Sequence, residues 1–222
     1  MALVRPAGAA ALGFLALAGA GLGCRGSAPP RDVEPSAGVS AVLVRARLIV
    51  PTGETASGSI ALNLESDVER YRLPFPPKQT ALYVIEPGTY RLHPTRGFSG
   101  GPEDALTIVI NRKVYKAPFP RDILRREPLR VKATKIIPIG ILEAKVIFVP
   151  GAPAPRLEVR LDDSVAARRA LVQDMVAQML DEGADPDFRE RAIQWTRALD
   201  QAMVSLAGME DAPAAFKPYD AP

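Results

Sequence analysis

Thiols and imidazoles are almost missing from this chain. Its 222 residues include one cysteine, Cys24, and one histidine, His93. A single cysteine closes no internal disulfide and makes no CxxC redox pair. Zinc and iron–sulfur centres draw on several Cys or His ligands, so counting alone excludes that chemistry and no cofactor is expected. Stability has to come from an apolar core, which a chain of this length can bury without staples. Phosphate-cradling glycine loops are lacking too, which leaves nucleotide chemistry no foothold. Aromatics are sparse at 6%. What remains is the composition of an ordinary globular protein, 47% hydrophobic and 24% charged.

Residues 1–23 read as an export signal. Arg5 supplies a short positive region, and Ala7–Gly23 is an unbroken run of small and apolar residues. The run ends in Gly21-Leu22-Gly23-Cys24, which resembles the lipobox of bacterial lipoprotein signal peptides. In that family a small residue precedes the cysteine that becomes the new N-terminus. Its usual leucine stands three positions before the cysteine, whereas Leu22 stands two before. The resemblance implies a diacylglyceryl group on the Cys24 thiol and a further acyl chain on the freed amine. One chain anchors only marginally and two or three hold stably, at roughly 0.8 kcal/mol per buried CH₂. Two alternatives stay open: an ordinary secretory signal cut elsewhere, and an uncleaved membrane helix, for which the run is shorter than the ~20 residues of a span. The Pro/Gly/Ser-rich residues 24–39 suit a flexible tether. Arg25 follows the cysteine, and under the best-known sorting rule any residue but Asp there permits transfer to the outer membrane, facing the periplasm.

Residues 40–161 carry recurrent period-2 alternation. Val44, Ala46, Leu48 and Val50 share one face with Arg45 and Arg47 on the other, and Ile60, Leu62 and Leu64 alternate cleanly. Ala81–Ile85 and Thr89–Leu92 flank Glu86-Pro87-Gly88, which predicts a hairpin with Gly at positive φ. Leu106, Ile108 and Ile110 alternate, as do Leu129, Val131 and Ala133. Ile136–Val149 is almost wholly apolar and suits a strand buried on both faces, while Leu157, Val159 and Leu161 alternate with charges. The expectation is an α+β chain: a mainly antiparallel β-sandwich of about seven or eight strands, then a helical hairpin.

The element Pro87-Gly88-Thr89-Tyr90-Arg91-Leu92 resembles the PGxY hairpin of prealbumin-like and carboxypeptidase-regulatory-like sandwiches. The stretch Ala117–Leu161, ending in Leu157–Ser164, is similar to the latter half of uncharacterised bacterial lipoproteins with that fold, where a last strand leads through an acidic pair into a helix. The resemblance implies a sandwich used for binding or scaffolding, with no catalytic residues to carry over.

From residue 162 to 209 the period changes to 3.6. Leu171, Val172, Met175, Val176, Met179 and Leu180 form one stripe, and Phe188, Ala192, Trp195, Leu199, Met203 and Leu206 a second. Asp162 or Asp163 can cap the first helix, Gly183 suits its end, and Asp185-Pro186 reads as the start of the next. A connection this short predicts an antiparallel hairpin. Its stripes either pack inward or present Trp195 and the methionines to a partner. Residues 210–222 read as a disordered tail. Residues 24–161 hold 21 Lys/Arg against 13 Asp/Glu, and residues 162–222 hold 6 against 12, so an acidic hairpin is expected to lean on a basic sheet domain. The basic excess is densest at Arg112, Lys113, Lys116, Arg121, Arg125, Arg126, Arg130 and Lys132. That run is either a solvated face or, with Trp195, a surface for an envelope partner such as an anionic headgroup, a glycan or a protein. Nucleic acid is not an expected partner, because no recognition module is present and the chain reads as exported.

Gly97-Phe98-Ser99-Gly100-Gly101 matches GxSxG by letters. A nucleophile elbow needs a strand before it, a helix after it and a histidine later in the chain, and His93 comes earlier. The stretch therefore reads as a Gly-rich loop and His93 as a loop residue. The acidic run Asp181, Glu182, Asp185 and Asp187 lacks the alternating ligands of a calcium loop. The leading expectation is a non-catalytic envelope lipoprotein acting in binding or scaffolding. Its rival is a carbohydrate-active enzyme using carboxylates alone, for which Glu103-Asp104 and Asp162-Asp163 are candidates.

Overall fold

The computed structural model describes residues 40–51, 58–94, 105–110, 112–118, 120–124, 126–152 and 155–209. The leader, Cys24, the tether, residues 97–101, Glu103, Asp104, Arg125 and residues 210–222 lie outside the described residues. The chain is α+β, with mostly antiparallel sheets and C-terminal helices. In chain order the elements are β1 (Ser40–Ile49), β2 (Gly58–Glu65), β3 (Arg70–Phe75), β4 (Ala81–Ile85), β5 (Gly88–Pro94), β6 (Ala105–Ile110), β7 (Lys113–Pro118), the short α1 (Arg121–Leu124), β8 (Leu129–Val131), β9 (Ile136–Ile147), β10 (Arg156–Asp162), α2 (Val165–Glu182) and α3 (Arg189–Ala207).

One sheet runs β10-β9-β1-β4. In the other, β2 is central: β3 pairs along one edge, while β6 and β5 share the opposite edge and lead on to β7 and β8. The alternating residues explain the layers. Val42, Val44 and Ala46 of β1 meet Ile60, Leu62 and Leu64 of β2 in a cluster that both sheets line. Ala41 and Leu43, with opposite parity on β1, join a second cluster with Leu171, Met175, Trp195 and Leu199 of the helices. The first sheet is thus covered on both faces over part of its length, which is why β9 carries a nearly continuous apolar run. Deleting one large buried side chain from such a cluster costs about 2–5 kcal/mol.

Several expectations change. Ten strands are present among the described residues; β3 and β7 are the additions, their alternation masked by Pro74 and by the lysines of the KVYK stretch. The pair β1/β9 is parallel, in register from Ala41↔Ile136 to Ile49↔Lys145, because the chain passes through the other sheet before it returns. Glu86-Pro87-Gly88 is no hairpin: β4 belongs to the first sheet and β5 to the second, so these residues turn a corner between sheets. Gly88 is absent from the positive-φ residues, and its role is space, since a Cβ there would stand 3.0 Å from the Tyr90 ring. His93 lies in β5, half-buried and opposite Asn63, and is not a loop residue. Ala133 lies beyond β8, in an exposed turn.

A bulge accompanies Pro138 and Gly140 in β9, where the register with β1 shifts between Leu43 and Val44. Gly140 has φ +145°, and a Cβ would lie 2.6 Å from the Asp162 carbonyl oxygen. The extra residue resets parity, so that Ile141 faces the helices while Leu142 faces the other sheet.

Ser164, not Asp162 or Asp163, caps α2: its hydroxyl accepts the Ala167 N–H at 3.1 Å. Asp185 does not cap α3 either. Its carboxylate accepts the Asp187 N–H at 3.1 Å, which holds a turn, and the helix starts at Arg189. The Arg169 guanidinium donates to the Leu206 carbonyl at 3.3 Å, tying the start of α2 to the end of α3 as an antiparallel pair requires. Leu180 of the first stripe is 66% exposed, while the second stripe is buried except for half-buried Met203. Asp174 latches the pair to the sheet: it accepts from the Thr80 N–H at 2.8 Å and the Thr80 hydroxyl at 2.6 Å, with Arg45 at 3.6 Å. The expected lean of an acidic hairpin on a basic sheet domain has here a specific contact.

Candidate functional site

Strand β5, which follows the corner between the sheets, builds one wall of a cavity through Tyr90, Arg91 and Leu92. Tyr90 turns back over that corner, its hydroxyl donating to the Glu86 carbonyl at 2.7 Å, in the manner of a tyrosine corner. Tyr71 packs edge-on against the ring, with centroids 5.9 Å apart. Burial pushes the Tyr90 hydroxyl up to about 12, and nearby Tyr71, Glu69 and Glu86 add to the shift. The hydroxyl is therefore a fixed structural donor and no ready proton source near neutrality.

Beyond the ring lies a cavity of about 590 Å³, a size suited to a small organic molecule. Tyr90, Leu92, Ile123, Leu129, Ile139 and Leu161 supply apolar surface, so the cavity opens beside the inter-sheet core. Charge enters from three elements. Arg91 comes from β5, Arg126, Glu127 and Arg130 from the α1–β8 segment, and Asp163 and Arg168 from the junction of β10 with α2.

Freed from capping, Asp163 takes the Arg126 Nη1 as a hydrogen-bonded ion pair and the Arg168 Nη2 at 3.5 Å on the same oxygen. Arg126 also donates to the Leu161 carbonyl at 2.9 Å. The Nε atoms of both arginines are buried and have no acceptor among the described residues. Two guanidinium groups thus share one carboxylate, and a buried N–H left unmet costs about 1–3 kcal/mol. Four arginines against two carboxylates leave the lining with a net positive charge.

The basic run of the sequence is dispersed. Arg112 and Lys113 stand exposed at the β6–β7 turn, Arg112 with φ 66°. Lys116 lies in β7, Arg121 is exposed on α1, and Lys132 is exposed after β8, its carbonyl accepting the Ser40 hydroxyl at 2.8 Å. Arg126 and Arg130 of that run reach the cavity. Trp195 is 1% exposed within the helical cluster and belongs to no surface. Arg91 and Arg168, which join the cavity, escaped sequence reading because they stand outside the dense run. The neighbouring Asp163 was the available signal.

A second charged feature lies on the first sheet. Glu143 of β9, 4% exposed, sits between Arg47 of β1 and Arg160 of β10, its register partners. Arg47 donates at 2.6 Å to one carboxylate oxygen and Arg160 to the other.

No family model, no curated protein and no solved structure matches this chain. The site is therefore read from its own residues. Among the described residues no group of three or more His, Cys, Asp or Glu could hold a metal ion. No helix among them is long and apolar enough to cross a membrane.

Proposed function

We propose that the chain is a bacterial envelope lipoprotein, anchored by lipid on Cys24 to the outer membrane on its periplasmic side. Its two sheets, read as a β-sandwich, form a non-catalytic binding module for another envelope component. The observation that carries the binding role is the cavity of about 590 Å³ beside Tyr90, with its apolar wall and converging arginines. Its two carboxylates are poorly placed for acid–base work: Asp163 is held by Arg126 and Arg168, and Glu127 is exposed at the rim. The anchor reading rests on the Gly21–Cys24 stretch and the apolar run before it.

Two measurements test this reading. Mass spectrometry of the mature N-terminus should find acyl chains on residue 24; an unmodified thiol there, or a different start, would refute the anchor. A photo-crosslinking residue placed at Leu129, on the cavity lining, should capture a specific envelope molecule in the native host. Capture of nothing above an exposed-face control would remove the binding role.

A further inference from the structure

We infer that the cavity beside Tyr90 is a binding site for an organic anion: one carboxylate or phosphate head on a compact apolar body. The inference rests on the binding-module reading and adds the class of ligand. Three observations meet here. The lining carries both an apolar wall and a net positive charge, which selects for a molecule with both characters. Arg126 and Arg168 share a single oxygen of Asp163, so among the described residues one positive charge in that cluster has no counter-charge. Their Nε–H groups also lack acceptors among the described residues.

The two arginines differ in how firmly they are held. Arg126 is fixed at both ends, by Asp163 and by the Leu161 carbonyl. Among the described residues, the contact to Asp163 at 3.5 Å is the ion pair of Arg168. A rotation of the Arg168 guanidinium would present its Nε and Nη edge to a carboxylate or phosphate, the paired-donor geometry that arginine makes with such oxyanions. Arg168 lies in the first turn of α2, where the helix macrodipole further favours an anion. Exposed Arg91 and Arg130 add positive charge at the mouth. The anion would then complete the cluster as a second acceptor beside Asp163, while its body covers Leu92 and Leu129.

The test uses the full chain and four probes: 2-naphthoate, 2-naphthyl phosphate, the neutral 2-naphthamide and inorganic phosphate. Calorimetry should rank both naphthyl anions at least about 10-fold tighter than naphthamide, with inorganic phosphate weaker than either anion. R168Q should weaken 2-naphthoate about 10- to 100-fold and leave naphthamide unchanged. Thermal melting checks that the variant folds; if it does not, R91Q/R130Q, altered only at exposed positions, should weaken the anions and make their binding less sensitive to salt than the parent's. Equal binding of naphthoate and naphthamide, or naphthoate binding indifferent to R168Q and to R91Q/R130Q, would overturn the inference. Failure of all four probes while crosslinking at Leu129 still captures an envelope molecule would sink the ligand class and spare the module. Conversion of a bound probe to product would sink the non-catalytic reading and spare the anion site.

Discussion

Removing the cations from around Glu143 tests how the first sheet tolerates a buried charge. The carboxylate is 4% exposed, whereas the side chains of Arg47 and Arg160 are 56% and 66% exposed. Each arginine loses little hydration in pairing, so R47M or R160M alone should cost only about 1 kcal/mol, with the remaining guanidinium still in place. R47M/R160M is a different case, because the carboxylate keeps its burial and loses both partners. That should cost about 3–5 kcal/mol, well beyond the sum of the single changes. Adding E143M to the pair removes the buried charge itself, and stability should return to within about 1 kcal/mol of the parent. Urea denaturation followed by circular dichroism reads all four variants, with equal m-values showing that the native and denatured states remain comparable. Simple additivity of the double variant, or a triple variant no more stable than the double, would refute the reasoning. Either result would mean that water reaches Glu143 and carries the charge unaided.

Trp195→Ala should lower unfolding free energy by about 3–5 kcal/mol, because the indole is fully enclosed between the helices and the sheet; a change under 1 kcal/mol in the same urea assay would place it on a surface. Gly140→Ala combines a positive φ with a Cβ 2.6 Å from the Asp162 carbonyl, and a loss of at least about 1–3 kcal/mol is expected by thermal melting. Tyr90 gives a signed pH dependence. Its folded value of about 12 stands above the ordinary 10, so its stabilisation is complete below pH 10 and is lost as pH rises through 12. The full linkage would approach 3 kcal/mol; with the hydroxyl beside an open cavity, about 1–2 kcal/mol is expected. The stability gap between the parent and Y90F, measured at pH 9 and pH 12, should narrow by that amount, and a constant gap would contradict the shift.

Alternation and helical stripes were legible because they are written by burial itself. Ile60, Leu62 and Leu64 point inward as their spacing predicts, and so do Phe188, Ala192, Trp195 and Leu199. Pairing was less legible, since period-2 patterns say which face is buried and not which strand lies alongside. That is why the parallel partnership of β1 with β9 was missed, and why β4 and β5 read as a hairpin across a corner. Caps failed for a related reason. Asp162, Asp163 and Ser164 are all competent caps; Ser164 takes the role, while Asp163 pairs with Arg126 and Arg168 and the Asp162 carboxylate accepts the Ser164 N–H. The cavity draws on residues from 90 to 168 and has no local signature; of its lining, the basic run marked Arg126 and Arg130 alone as candidates.

The alliance of β1 with β9 also sets a timetable. Ala41 meets Ile136 and Ile49 meets Lys145, so nearly the whole sheet domain must be synthesised before the earliest strand finds that neighbour. Until then β1 offers an apolar ribbon with an open edge, the kind of surface on which other chains add. Closing so distant a contact is slow on entropic grounds. A fragment ending before residue 136 should be an aggregating chain and not a smaller working domain, and a holdase chaperone would be most needed during that interval.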